Sequence, residues 1–149
     1  MKKVFFVIVL IVNLVIMSNA QDLHLLLQSY EWYRGEKSAN CAIYLFISQE
    51  SLFNTGYDQQ SSMCRRIGAS GIILVYSGET ARNNDISLCQ YYYKLKENNL
   101  SVSIDGEWMH SGRRKWHYYI LDYIKKNTLR FQAQNDEDIS MFLTKRKKI

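Results

Sequence analysis

Residues 88–105 place apolar side chains at alternate positions on both sides of a polar turn. Tyr91, Tyr93 and Leu95 share one face. After a polar turn at Lys96–Asn99, Leu100, Val102 and Ile104 alternate with Ser101 and Ser103. Pairing Leu95 with Leu100 brings Tyr93 opposite Val102 and Tyr91 opposite Ile104, so one antiparallel register satisfies both strands. The turn motif Lys96-Glu97-Asn98-Asn99-Leu100 is echoed 29 residues later by Lys125-Lys126-Asn127-Thr128-Leu129. There Leu129, Phe131 and Ala133 alternate with Arg130 and Gln132, and a turn at Asn135-Asp136-Glu137-Asp138 leads into Ile139, Met141 and Leu143. This predicts a second hairpin with Phe131 opposite Met141 and Leu129 opposite Leu143.

Upstream, Leu23, Leu26, Leu27, Tyr30 and Tyr33 recur at helical spacing, with Asp22 available as an N-cap. A competing strand pattern begins near Ser29, so a short helix followed by a strand is expected. Ala42–Ser48 is rich in β-formers, and Gln49-Glu50-Ser51 then Leu52-Phe53 read as the turn and return of a hairpin. Residues 55–70 read as a long loop, 72–76 as an apolar strand and 78–85 as a polar connector. Consecutive hairpins with one apolar face leave exposed edges unless the sheet closes on itself. The expectation is therefore an all-β fold: an antiparallel up-and-down meander of about eight strands, closed into a small barrel, with a short N-terminal helix.

Lys2 and Lys3 precede an apolar run from Val4 to Met17, and Ser18-Asn19-Ala20 supplies small residues for cleavage. Residues 1–20 thus read as a secretory signal peptide, cut after Ala20, leaving one domain at 21–149. The run is short for a membrane span. The expected location is secreted or periplasmic, with membrane contact only through the signal peptide before cleavage. Loss of Lys2 and Lys3 lowers the formal net charge from +5 to +3, and Lys145, Arg146, Lys147 and Lys148 supply four charges at the C-terminus. The basic balance is largely a tail effect, and no nucleic-acid partner is implied. Export permits a disulfide. Cys89 falls on the alternating strand, so Cys41–Cys64 is the expected pair.

The second half resembles the lipocalin-like domains of small secreted bacterial proteins. The residues carrying the likeness are Tyr44–Phe53, Tyr92–Ile104 and Tyr118–Lys147, which match an "apolar strand, acidic turn, strand" opening and later hairpins of that kind. The resemblance implies a ligand-holding barrel and brings no functional residue with it.

No nucleophile–base signature surrounds His24, His110 or His117, no Cys-x-x-Cys or His-x-x-x-His pair occurs, and the acidic turn at 135–138 lacks the Gly and alternating ligands of a calcium loop. The expectation is a non-enzymatic protein without cofactor or metal. Trp108 and Trp116 flank Arg113-Arg114-Lys115 on a hairpin loop, where cations beside aromatics suit either anionic groups or simple packing. Extending the register places Trp116, Tyr118, Ile120 and Asp122 on the inner face. A bulge would instead turn Tyr119, Leu121 and Tyr123 inward and Asp122 outward. On the first register, Tyr91, Tyr93, Trp116, Tyr118 and Asp122 are the candidate ligand-binding residues, for a small apolar or amphipathic molecule. The alternative is a structural or protein-interaction β-module with a filled core, since eleven Tyr and three Trp also suit a binding surface.

Overall fold

The computed structural model of the chain describes residues 20–49 and 69–149. The segment read as a signal peptide lies almost wholly outside these residues, as do Cys64 and the Leu52-Phe53 return strand. Eight antiparallel strands close into a barrel in sequence order. Helix α1 (Ala20–Ser29) runs directly into β1 (Tyr30–Arg34). There follow β2 (Ile43–Ser48), β3 (Ala69–Tyr76), the single-turn helix α2 (Glu79–Asn83), β4 (Cys89–Lys96), β5 (Asn99–Ile104), β6 (His117–Ile124), β7 (Thr128–Ala133) and β8 (Met141–Lys148). The closing pair is β1 with β8, so no strand edge runs the length of the sheet unpaired.

Both expected hairpin registers are observed. Tyr93 faces Val102 and Leu95 faces Leu100 across β4–β5. Phe131 faces Met141 and Leu129 faces Leu143 across β7–β8. The connector at 78–85 differs from expectation by forming α2. It is held against the barrel's outer wall, where Tyr33, Ile43 and Tyr76 make a small outer core with Ala81 packed on it. Polar contacts fasten it further: Tyr33 donates to the Glu79 carboxylate, and Tyr76 donates to Asp85 at 2.8 Å.

Eight strands enclose an interior that side chains can fill. Trp32, Tyr44, Phe46, Tyr93 and Phe131 do so, each almost fully buried. We call the end of the barrel near α1 the foot and the opposite end the mouth. Leu23 and Leu27 of α1 plug the foot and join the interior core. The helix is tied there by Trp32, whose indole N–H donates to the Leu27 carbonyl at 2.8 Å, and by a 2.6 Å hydrogen bond between His24 Nε2 and the Tyr93 hydroxyl. The first occupies one of the carbonyls that a helix C-terminus leaves unpaired. Among the described residues, no helix is long and apolar enough to cross a membrane.

Candidate functional site

The inner wall near the mouth is built by strand ends. Trp32 points into the core, so Arg34, two residues on, points inward as well. Its Nη1 donates to the Tyr44 hydroxyl at 2.8 Å. The Tyr44 ring packs edge-on against Tyr91, with centroids 5.9 Å apart. Tyr119 enters from β6, close enough that the Arg34 charge acts on its hydroxyl. Burial, above all, raises the phenols of Tyr91 and Tyr119 over their ordinary value. For Arg34 burial opposes the charge, but the oxygens of Tyr44, Tyr119 and Tyr91 more than offset it, and the guanidinium is held charged. At the rim, His117 bridges two loops: its Nδ1 lies 2.8 Å from Asp138 and its Nε2 3.2 Å from Glu107.

The foot carries a pocket of about 290 Å³ beside α1 and the β6–β7 turn. Leu26, Trp32, Ile124 and Leu129 give it an apolar floor, while Lys125, Lys126 and Lys145 stand around it, with no carboxylate in its lining. Two of these lysines are steered by rings: Lys145 Nζ is 4.3 Å from the Tyr30 centroid and Lys125 Nζ is 5.4 Å from that of Tyr123.

Of the five residues expected to share the inner face, only two do. Tyr93 is fully buried in the core, and Tyr91 lines the mouth. Trp116, Tyr118 and Asp122 do not join them. Lys94, from an outward position on β4, sits 4.3 Å from the Trp116 centroid, and Tyr118 is 50% exposed. Asp122 lies on the outer wall, gripped by Arg130 through two hydrogen bonds of 2.8 and 3.0 Å. The cause is a break in register between Leu121 and Tyr123: Tyr119 and Leu121 point inward, opposite Ala133 and Phe131, and Asp122 is the extra residue. Tyr123 then pairs with Arg130, whose guanidinium lies 5.4 Å from the Tyr123 ring centre.

The loop around Arg113-Arg114-Lys115 uses its aromatics internally. Arg114 is set 4.1 Å from the Tyr92 centroid and 5.1 Å from that of Trp108. Cys41 and Cys89 are free thiols. The Cys41 thiol donates to the Arg34 carbonyl, and its expected partner Cys64 lies outside the described residues. Among the described residues, no three His, Cys, Asp or Glu side chains are placed to hold a metal ion.

Sequence reasoning missed Arg34, Tyr44 and the lysines at the foot, and turned Tyr119 inward only in the bulged alternative for this strand. Arg34 was signalled only by its i+2 spacing from Trp32, and Lys145 belongs to a run that reads as a solvated end. Comparison of the chain with protein-family models, with curated proteins and with solved structures gives no match.

Proposed function

We propose that this barrel is an exported, non-enzymatic binding protein of lipocalin-like type, taking a small amphipathic molecule with an anionic head group at the foot pocket. The observation that supports this reading is the composition of that pocket: an apolar floor ringed by three lysines with no acid among its lining residues. Ligand sites combine mostly apolar walls with a few polar anchors. The large side chains filling the interior leave the foot as the place for an apolar tail. A neutral or cationic amphiphile would leave the lysines facing one another without a counter-charge.

The test uses Trp32, which lines the pocket, as reporter in a chain carrying Trp108→Phe and Trp116→Phe. Decanoate is expected to change Trp32 emission saturably, with affinity falling as salt rises. Lys145→Gln is expected to weaken it about five-fold, the scale of one partly exposed ion pair. An unchanged Trp32, or equal binding of decanol and decanoate, would refute the assignment. The interaction-module reading is supported by exposed Tyr118, Ile120 and Phe142 on the outer wall of β6–β8. Arg130 and Gln132 on β7 divide that wall, which favours the pocket.

A further inference from the structure

The foot carries more charge than its pocket uses. Lys147 and Lys148 end β8, paired with Glu31 and Tyr30 of β1. The Lys145 N–H donates to the Asn127 carbonyl at 2.8 Å, which sets the β6–β7 turn, with Lys125 and Lys126, alongside β8. Arg146 is taken up by Glu31 and Glu79. The lysines around it are not: among the described residues, the lysine in an ion pair is Lys115, held by Glu107 at the mouth. Among the described residues, Asp22 of α1 and Glu97 of the β4–β5 turn are the acids at the foot outside ion pairs. The loops of the mouth hold Asp105, Glu107, Asp136, Glu137 and Asp138. Charge is therefore divided along the barrel axis, with the positive end at the foot.

Apolar side chains stand among these lysines. Leu23 and Leu27 of α1 plug the barrel. Leu25, two residues from each, lies on the opposite side of the helix and is 66% exposed. Ile149 is 67% exposed, and its N–H donates to the Ser29 carbonyl at 2.9 Å, which fixes it beside the end of α1. Ile124 is exposed next to Lys125. A helix that buries one face in protein and shows leucine on the other, with lysines around it, has the composition of a surface that settles into the headgroup layer of an anionic bilayer. A soluble anion would meet the lysines alone and leave Leu25 and Ile149 in water.

We propose that the foot of the barrel is a docking surface for an anionic lipid bilayer. Leu25 and Ile149 enter the boundary between headgroups and acyl chains, and Lys125, Lys126, Lys145, Lys147 and Lys148 face the lipid phosphates. Docking in this way sets the pocket against the layer from which an anionic amphiphile is drawn. That last step rests on the pocket reading, whereas Leu25, Ile149, Lys147 and Lys148 lie outside the pocket lining.

The experiment is flotation of the purified chain with vesicles of phosphatidylcholine mixed with phosphatidylglycerol, and with vesicles of phosphatidylcholine alone. Variants are compared with a parent whose N-terminus, checked by mass, is the same, so residues 1–20 contribute equally where they are retained. The parent is expected to bind the anionic vesicles far more tightly than the neutral ones, and less tightly as salt rises. Lys147→Gln combined with Lys148→Gln is expected to weaken binding about 25-fold, roughly five-fold for each lysine near an anionic surface. Leu25→Ser is expected to weaken it about ten-fold, the loss of one partly inserted leucine. Lys37→Gln combined with Arg113→Gln removes two exposed charges at the mouth and is expected to change nothing. The Leu25 and Lys147/Lys148 variants are expected to keep the parent's Trp32 response to decanoate, so failure of docking and failure of the pocket reading are told apart. Equal binding of neutral and anionic vesicles, an unaffected Leu25→Ser, equal weakening by the mouth variant, or polyglutamate bound as tightly as the anionic vesicles would each overturn the proposal.

Discussion

Asp122 and Arg130 grip each other through two parallel hydrogen bonds on the outside of the barrel, directly behind the wall that buries Phe131. Adjacent residues on β7 therefore experience opposite environments. Phe131→Ala is expected to cost about 3–5 kcal/mol, because a large ring leaves a cavity in a packed interior. Arg130→Ala is expected to move the urea midpoint far less, since an exposed pair contributes little. Unfolding both variants in urea checks this: equal losses would mean that the two walls are assigned the wrong way round.

How much of this was legible depended on whether one face of a strand was polar. In β5 and β7 the alternation with Ser101, Ser103, Arg130 and Gln132 leaves a single register, and the structure has it. In β6 both faces are apolar, with Trp116, Tyr118 and Ile120 against Tyr119, Leu121 and Tyr123. Pattern alone could not choose there. The choice falls to the bulge at Asp122, which keeps its carboxylate out of the core and within reach of Arg130. Three of the five proposed site residues were displaced together by that one register break. Arg34 stayed hidden for a different reason. It ends a five-residue strand, and nothing local distinguishes an inward arginine there from the usual exposed one.

Gly71 is the close-approach point between β2 and β3. A Cβ placed there would collide with the Ile47 carbonyl oxygen, a backbone atom that cannot swing aside. Gly71→Ala is expected to destabilise by about 3 kcal/mol, the upper part of the overpacking range. Thermal or urea unfolding reads the loss, whereas Gly106→Ala, where a Cβ meets open space, probes only the strain of its positive φ.

Arg146 holds Glu31 and Glu79 together on the outer wall, and Glu31 is buried there. Arg82 remains on Glu31 when Arg146 is removed. Arg146→Gln is therefore expected at the low end of the penalty for breaking a buried pair, about 3 kcal/mol. Hydrogen bonds from Arg146 and then Tyr33 hold the Glu79 carboxyl below its ordinary value of 4.5. A depressed folded-state pKa gives stability that is present above 4.5 and lost as the pH falls further. Urea midpoints of the parent should thus decline through that acid range, and the decline should be shallower in Arg146→Gln. Parallel acid profiles would show that Glu79 draws nothing from this contact.

The alkaline limb is set by the interior tyrosines. Burial raises the phenols of Tyr93, Tyr91 and Tyr119 above the ordinary value of 10.0. A raised folded-state pKa contributes stability that is fully present below 10.0 and lost as the pH climbs toward the folded value, because the unfolded chain sheds those protons first. The three interior phenols are expected to ionise only as the barrel opens, after phenols that water reaches freely. Phenolate absorbance and far-UV circular dichroism, recorded together against pH, should therefore show an early step with unchanged dichroism and a later step in which both signals change at once. Tyr93→Phe is expected to make the later step less steep, having one proton fewer to release. At neutral pH the same variant should lose about 1 kcal/mol with its hydrogen bond to His24. Full ionisation of all eleven tyrosines with the dichroism intact would mean that the hydroxyls of Tyr91 and Tyr119 meet bulk water rather than the half-buried mouth around Arg34.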